Sequence, residues 1–434
     1  MKVVFLQQDS FVKIAVEQLY AVLKEHGHES DLFIESGEKN FLQSVLESGA
    51  DLFAFSCTTG GEYWVLQTAE KLKRNTTTPI MVGGPHPTFF PEMIKDSSID
   101  YINRGEGEYA LLDLLEALRN NPGKIRNIPN VWSKGPDGKI FETDVRPFIS
   151  DLDDLPAPDF DIYAKYRYLV PYNSEMYSMM TGRGCPHNCN YCFNKTYKEL
   201  YRGKGRYLRK RSPENVMRQL VHAKERYAIR KINFVDDCFF SFPGWLREFA
   251  GLYKEKINLP FIVNVEATHV KEEYVRLIRE MGCICVRMGV ETGNEHLRRN
   301  VLNKKITNQQ IRTAAGYIKS YGIKLSTYNI LGLPGETLES TLETYRLNKE
   351  IGTDFTQCSL LQPYPGTEIH QYISEKGYLA DDTLDASFFS SSGIRMENKR
   401  EIVNLQKLMQ FFIQVHVPLF LVKIIIKLPS NPVF

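Results

Sequence analysis

The first 120 residues alternate short apolar runs with stretches in which apolar residues recur at helical spacing. Apolar runs bounded by turn residues predict buried strands, here at residues 2–7, 31–34, 51–57, 79–84 and 100–105. Helical patterns lie between them, including residues 11–25 and 106–119. Five strand–helix units in succession predict an α/β domain over residues 1–125, a doubly wound parallel sheet with helices on both faces.

A second alternating series follows a connecting segment. Residues 126–170 are predicted to be a linker that contains a hairpin at residues 131–143. The later apolar runs are residues 176–181, 231–237, 260–267, 283–291, 324–335 and 354–366, each followed by a helical pattern. Six such units over residues 171–385 predict a partial (β/α)6 barrel of the TIM type, two units short of closure.

Residues 386–434 form a short apolar C-terminal extension. Its most apolar part, residues 405–427, is interrupted by Pro418 and is short for a membrane span. A docked helix or strand is the favoured interpretation. A peripheral membrane contact, a wall for a hydrophobic substrate and a truncated chain are the alternatives.

Charge adds little to this picture. The chain has 54 basic and 52 acidic residues, so its net charge of +2 gives no reason to expect a nucleic-acid partner. One basic cluster is predicted to be a solvated face, namely Arg202, Lys204, Arg206, Arg209, Lys210 and Arg211. The N-terminus turns polar too soon for a signal peptide, which predicts a cytoplasmic protein.

Three glycine-bearing loops follow strands of the first series. They begin at Ser56, at Gly83-Gly84 and at Gly105-Glu106. The carboxyl ends of parallel strands form the ligand crevice of an open α/β sheet, and glycine permits close approach of a ligand to the backbone. These loops therefore predict a binding site at that edge. For Glu106 the alternative is an acidic residue at the start of a helix.

The strongest chemical signal is a group of cysteines. Three of the eight lie within Cys185-Pro-His-Asn-Cys189-Asn-Tyr-Cys192, just after the first strand of the second series. Three thiolates so close can each bind one iron of a cubane cluster, which leaves the fourth iron open to a substrate. Zinc bound with the help of His187 is less favoured, because no second C-x2-C or H-x3-H pair occurs.

The triplet, with Tyr191 before its third cysteine, resembles the signature of the radical S-adenosylmethionine (SAM) enzymes over about residues 170–380. The resemblance implies a [4Fe-4S] cluster on Cys185, Cys189 and Cys192. It also implies reductive cleavage of SAM to a 5′-deoxyadenosyl radical, with an electron donor such as flavodoxin or ferredoxin. It identifies no catalytic residue beyond the cluster ligands.

Looser motifs of the same family lie at the ends of later strands. By resemblance, Tyr191, Asp237, Glu291, Gly332 and Gly335 are expected to neighbour SAM. The alternative for each carboxylate is a helix cap or an ion pair, and for each glycine a turn without a ligand. The five other cysteines are predicted to be structural, namely Cys57, Cys238, Cys283, Cys285 and Cys358.

The N-terminal series resembles the domain of the cobalamin-binding subfamily, through its loop at Gly83-Gly84 and its Arg104-Gly-Glu-Gly-Glu108 segment. The resemblance implies cobalamin as a further cofactor near Ser56, Gly83, Gly84 and Glu106. The chain departs from the subfamily pattern after the first strand. The Asp-x-His-x-x-Gly motif that carries the cobalt-binding histidine is replaced there by Gln8-Asp9-Ser10-Phe11.

These features together predict a cobalamin-dependent radical SAM enzyme that methylates carbon on an unidentified substrate, with a hydrophobic molecule as the candidate class. The first rival is a cobalamin-independent radical SAM enzyme for cyclisation, carbon–carbon coupling or sulfur insertion. The second is a non-catalytic protein that keeps only the binding role of its first domain.

Overall fold

The computed structural model describes residues 1–169, 175–380 and 392–429. Its described residues group into two compact units. The N-terminal unit comprises residues 1–178, 197–211 and 227–229, and the C-terminal unit comprises the rest. Residues 126–169, predicted as a linker, group with the N-terminal unit. The predicted boundaries at residues 170–171 and 385–386 lie outside the described residues.

The N-terminal unit is built on a seven-stranded sheet in the order β2-β1-β3-β4-β5-β6-β7. Its strands are β1 (Lys2–Gln7), β2 (Glu29–Ile34), β3 (Leu52–Ser56), β4 (Ile80–Gly83), β5 (Tyr101–Asn103), β6 (Val131–Lys134) and β7 (Ile140–Phe141). Its helices are α1 (Ile14–Glu25), α2 (Phe41–Leu46), α3 (Glu62–Lys73), α4 (Pro85–Phe89) and α5 (Glu108–Asn120). The first five strands are parallel, which confirms the predicted α/β class.

The predicted hairpin is present as β6 and β7, but it does more than link two domains. Strand β6 pairs antiparallel with β5, so the hairpin extends the sheet by two strands. Trp132 of β6 donates from its indole nitrogen to the carbonyl of Thr143 at 3.0 Å. The sequence predicted the turn but not the partner strand, since pairing with β5 depends on residues far away in the chain.

The second sheet is the predicted partial barrel, with six strands in the order β15-β14-β13-β12-β11-β8. The remaining strands are β8 (Met176–Met179), β9 (Gly182–Arg183), β10 (Arg209–Lys210), β11 (Lys231–Phe234), β12 (Phe261–Val265), β13 (Cys283–Glu291), β14 (Lys324–Leu331) and β15 (Phe355–Leu360). Strands β11 to β15 pair in parallel with their sequence neighbours, and β9 and β10 lie outside this sheet. Strands β11 to β15 therefore end at the same edge.

Ten helices accompany these strands in the described chain. They are α6 (Phe193–Leu200), α7 (Pro213–Tyr227), α8 (Pro243–Lys256), α9 (Glu272–Glu280), α10 (Glu295–Asn300), α11 (Asn308–Ser320), α12 (Leu338–Glu350), α13 (Glu368–Glu375), α14 (Lys399–Gln414) and α15 (Leu419–Ile425). Among the described residues, no helix is both long enough and apolar enough to cross a bilayer.

The C-terminal apolar segment is docked as helix, which was the favoured interpretation. Ile402, Leu405 and Met409 of α14 are fully buried in a cluster with residues of β14, β15 and α12. Pro418 is the N-cap residue of α15. The proline that interrupts the apolar segment thus lies at the turn between α14 and α15. Their other face leaves Phe420 and Ile424 more than half exposed.

The basic cluster at residues 202–211 is only partly the solvated face that was predicted. Arg202 and Arg206 are exposed, but Arg209 and Arg211 are buried in the N-terminal unit. Arg211 donates to the carbonyl of Leu152 at 2.7 Å and to the side chain of Gln18 at 2.9 Å. The prediction was wrong for these two arginines, because burial of an arginine depends on partners from distant segments.

Candidate functional site

The three cysteines lie on one loop, residues 181–194, which we call the cysteine loop. It follows β8 at the carboxyl edge of the half-barrel and runs into α6. Cys185, Cys189 and Cys192 are half-buried thiols, and none of them forms a disulfide. The Cys192 amide donates to the carbonyl of Cys189 at 3.2 Å, which fixes a turn between these two residues.

Side chains and backbone from distant segments fasten this loop. At its start, Thr181 donates its amide (3.0 Å) and its hydroxyl (2.6 Å) to the buried carboxylate of Asp236, which follows β11. Farther along, the Asn190 amide donates to the carbonyl of Leu302 at 3.0 Å. The Asn303 side chain donates to the carbonyl of Asn188 at 2.9 Å. The loop is therefore held in place along most of its length.

The chemistry of the loop fits an iron–sulfur cluster. Burial raises the pKa of Cys185 to about 12 and that of Cys189 to about 11, and it also raises the pKa of Cys192. Cysteines that bind metal do so as thiolates, and metal binding supplies the positive charge that stabilises them. Three thiols on one short loop, none of them in a disulfide, match the ligand set of a cubane with one iron free of protein ligands.

Glu291 forms a buried ion pair with Lys304 and also a hydrogen bond with Tyr191 of the cysteine loop. Glu291 ends β13 in the left-handed region, with φ of +63°, which is uncommon for a residue with a side chain. Its Oε1 lies 2.6 Å from Nζ of Lys304, and both side chains are buried. Burial opposes the charged form of Lys304, but Glu291 raises its pKa above the usual value. Burial raises the pKa of Tyr191 strongly, and a hydrogen bond to Glu291 adds to this.

The structure separates the two neighbouring carboxylates after β11. Asp236 is buried against Thr181, whereas Asp237 is exposed and accepts a hydrogen bond from the Asn194 amide group at 3.3 Å. Asp237, the residue singled out from sequence, thus lies beside the end of the cysteine loop, and Asp236, which was not singled out, anchors its start.

Gly332 and Gly335 form a tight turn after β14. Both have positive φ, +77° and +74°, and a Cβ on Gly332 would come within 2.4 Å of the sulfur of Met396. The buried carboxylate of Glu336 closes the turn by accepting from the amides of Gly332 (2.6 Å) and Leu333 (3.0 Å). Burial raises the pKa of Glu336 to about 7. Turn geometry thus accounts for the glycines, and their proximity to SAM stays a prediction.

In the N-terminal unit, Ser56, Gly83 and Gly84 lie together at the carboxyl edge of the sheet. Ser56 and Gly83 are register partners on β3 and β4. Gly84 has φ of +100°, and a Cβ there would come within 2.7 Å of the carbonyl oxygen of Cys57. The close approach of two backbone segments therefore requires this glycine. His86 forms a hydrogen bond with Thr59 across 3.2 Å.

Glu106 has a structural partner that the sequence did not reveal. Its two oxygens accept from Arg209 at 2.8 and 3.1 Å, and one of them also accepts from the Ile149 amide at 2.9 Å. Both side chains of the ion pair are about 5% exposed. A buried carboxylate needs such a partner, so the ion pair explains this residue without a ligand. A contact between Glu106 and a cofactor stays a prediction.

Comparison with known proteins agrees with both units. The family model for the Radical SAM superfamily matches residues 179–347, and that for the B12 binding domain matches residues 9–115. The solved structure of the radical S-adenosylmethionine methyltransferase TsrM from Kitasatospora setae, with cobalamin and a [4Fe-4S] cluster bound, is similar in fold. Its TM-score is 0.70 at 18% identity, over 86% of this chain and 75% of that one.

Two relatives are similar in sequence. An uncharacterized methyltransferase of Pyrococcus horikoshii is 29% identical over 330 residues, which cover 74% of this chain and 69% of the relative. An anaerobic magnesium-protoporphyrin IX monomethyl ester cyclase of Rubrivivax gelatinosus is 27% identical over 389 residues, which cover 83% of this chain and 66% of the relative. The chain thus spans about two thirds of the length of each.

Fold, cysteine loop and family match agree, and the chain carries a domain of the Radical SAM superfamily over residues 179–347. It also carries a B12 binding domain over residues 9–115. The sequence-based predictions of fold class and family are confirmed.

Proposed function

We propose that this chain is a cobalamin-dependent radical SAM methyltransferase that methylates a carbon atom of its substrate. The observation that carries the proposal is the presence, in one chain, of a three-thiol loop at the carboxyl edge of a half-barrel and a B12-binding-type domain. The similarity to a methyltransferase of Pyrococcus horikoshii supports methyl transfer as the reaction type. The substrate is not assigned.

In this proposal Cys185, Cys189 and Cys192 hold the [4Fe-4S] cluster. When bound, the cluster supplies an electron for reductive cleavage of SAM, and cobalamin supplies the methyl group. The carboxylate of Asp236 anchors the start of the cysteine loop through Thr181, and Lys304 pairs with Glu291 at the end of β13. Of the predicted SAM neighbours, Tyr191 belongs to the cysteine loop and Asp237 accepts from Asn194 at its end, so these two are the first to test.

The cluster and cobalamin can be tested separately. The protein is reconstituted without oxygen, using iron, sulfide and hydroxocobalamin, then freed of excess reagent and examined by absorption and electron paramagnetic resonance. We expect four irons per chain, one corrin per chain and 5′-deoxyadenosine upon reduction with SAM present. Iron uptake without corrin absorbance would refute the cobalamin half of the proposal alone.

A matched pair of variants locates the cluster. Cys185→Ala combined with Cys189→Ala should abolish iron uptake and 5′-deoxyadenosine formation while corrin binding persists. Cys285→Ala removes a buried thiol on β13 and should leave all three unchanged. Corrin binding without 5′-deoxyadenosine formation, in the unaltered chain as well as in the double variant, would instead favour a non-catalytic binding protein.

Ring formation is the second candidate reaction, because the cyclase of Rubrivivax gelatinosus is similar over 83% of this chain. Turnover with SAM that carries a labelled methyl group distinguishes the two reactions. Label in the product supports methyl transfer, and an unlabelled product with a new ring supports cyclisation.

The partners that we propose are a hydrophobic substrate or surface and a one-electron donor of the flavodoxin or ferredoxin type. The apolar face of α14 and α15 supports the former, with Phe411, Phe420 and Ile424 between 55% and 64% exposed. Phe420→Ser with Ile424→Ser should lower binding to lipid vesicles in a sedimentation assay. Phe355→Ser, at an exposed site on β15, is the control. A cytoplasmic location is proposed because the cluster requires a reducing compartment.

A further inference from the structure

A second group of metal-ligating side chains lies in the C-terminal unit, and it does not include the three cysteines of the triplet. His187, Cys238 and His269 each offer one ligand atom, and these three atoms lie within 4.8 Å of one another. The Cys238 sulfur is 3.0 Å from Nδ1 of His269, and the two imidazole rings have centroids 5.1 Å apart. Among the described residues, no other group of three His, Cys, Asp or Glu side chains is as close.

The three residues come from three different loops at the carboxyl edge of the half-barrel. His187 belongs to the cysteine loop, Cys238 follows β11, and His269 follows β12. Local turns hold two of them. The Cys238 carbonyl accepts from the Ser241 amide and hydroxyl, and the His269 amide donates to the carbonyl of Glu266 at 3.0 Å. Ligands fixed by their backbone in this way are preorganised.

The spacing suits a tetrahedral metal ion. Zinc binds cysteine sulfur at about 2.3 Å and histidine nitrogen at about 2.0–2.1 Å, so neighbouring ligand atoms of a tetrahedral site lie on the order of 3.5 Å apart. The Cys238–His269 separation is 3.0 Å and every ligand-atom separation in the group is within 4.8 Å, so the group is compact enough for such a site. Two imidazoles and a thiolate form a ligand set for a borderline divalent cation rather than for calcium or magnesium.

A buried carboxylate next to the group favours a cation. Glu266 is 6% exposed, and its Oε2 lies 3.7 Å from Nε2 of His187. Oε2 also accepts from the Thr268 amide at 2.8 Å, while Oε1 is buried and has no hydrogen-bond partner among the described residues. A carboxylate beside a histidine is the usual outer partner of a zinc ligand.

We propose that His187, Cys238 and His269 bind a zinc ion that ties the cysteine loop to the loops after β11 and β12. This ion is additional to the iron–sulfur cluster, because the two ligand sets share no residue. Its effect is to fix the backbone of residue 187, between Cys185 and Cys189, and hence the spacing of two cluster ligands. The inference goes beyond the proposed function and does not require cobalamin or methyl transfer.

Cobalt(II) is the probe, since it replaces zinc and is visible by absorption. The chain with Cys185, Cys189 and Cys192 all changed to Ala, which cannot hold the cluster, is stripped with a chelator and titrated with Co²⁺. We expect one equivalent to bind, with a thiolate-to-cobalt charge-transfer band and the visible bands of a tetrahedral site. Cys238→Ser in this background should remove the charge-transfer band, and His269→Asn should weaken binding by more than about tenfold.

Matched controls use a cysteine and a histidine outside the group. Cys285→Ser and His296→Asn should leave the cobalt spectrum unchanged, and circular dichroism checks that each variant is folded. In case the triple variant does not fold, the unaltered chain, reconstituted with iron and sulfide, is subjected to elemental analysis. It should contain one zinc per chain in addition to iron. The Cys238→Ser variant, treated in the same way, should keep its iron and contain less zinc.

Absence of the charge-transfer band in folded protein, or a band that survives Cys238→Ser, would overturn the zinc site. Neither result bears on cluster assembly or corrin binding, which are measured separately. Conversely, a chain that binds zinc but fails to cleave SAM would leave this inference intact and refute the proposed function.

Discussion

Glu17 is a buried carboxyl group whose protonation should govern stability. It lies on α1 in the N-terminal unit, is 1% exposed, and has an Oε2 without a hydrogen-bond partner among the described residues. Burial, and secondarily the charge of Asp159, raise its pKa from 4.5 to about 8. The folded protein therefore keeps this side chain protonated at neutral pH, whereas the unfolded chain ionises it.

The sign and size of the effect follow from proton linkage. Because the pKa is higher in the folded state, the stabilisation is fully present below pH 4.5 and is lost as pH rises through about 8. At about 1.4 kcal/mol for each tenfold change in proton affinity, the loss amounts to about 5 kcal/mol as an upper bound. Glu17→Gln is isosteric with the protonated acid, so the variant should lack this pH dependence.

The assay is urea unfolding of the wild type and of Glu17→Gln between pH 5 and pH 9, followed by circular dichroism. We expect the free energies of unfolding to be similar near pH 5 and the variant to be more stable by several kcal/mol near pH 9. Glu25→Gln, at an exposed position of the same helix, is the matched control and should follow the wild type. Parallel pH profiles for wild type and Glu17→Gln would refute the assignment of a neutral buried acid.

Three further outcomes follow from buried charges and from one glycine. Lys304→Met leaves Glu291 buried without its cation, so it should lower the free energy of unfolding in urea by about 3–5 kcal/mol. A decrease below about 1 kcal/mol would contradict an ion pair that is shielded from water. Arg209→Met should cost a similar amount, and adding Glu106→Gln should restore much of it in a double-mutant cycle. Gly84→Ala, at φ of +100°, should lower the melting temperature by several degrees, and an unchanged value would mean that the loop can relax.

The strands were predictable because their information is local. Strand β1 is buried at five of its six positions, and parallel strands covered on both faces read as continuous apolar runs. The addition of β6 and β7 to the sheet was not predictable in the same way, since a hairpin with alternating burial fits any sheet edge with a free partner. Likewise, nothing in the local charge pattern distinguishes the buried Arg209 from the exposed Arg206.

For the site, the triplet was recognisable because its three thiols lie within eight residues of one another. The groups around the triplet were not recognisable from sequence. Asp236 and Lys304 are distant from it along the chain and come near it only in the folded protein. Cys238 shows the same limit. It was predicted to be structural from its isolation in sequence, and it lies 3.0 Å from His269, which is 31 residues away.

Asp236 and Asp237 show that a motif at a strand end can locate a site in the fold without showing which of its residues contacts a given partner. Successive side chains of an extended chain point to opposite sides, so only one of two adjacent carboxylates can turn back toward Thr181. Which one does so depends on where the pleat of β11 ends, at Phe234, and sequence patterns leave strand ends uncertain by a few residues. The inward carboxylate anchors the loop through Thr181, whereas the outward one accepts from Asn194, and its proximity to SAM stays a prediction. Two adjacent acidic residues can thus contact opposite ends of the same loop.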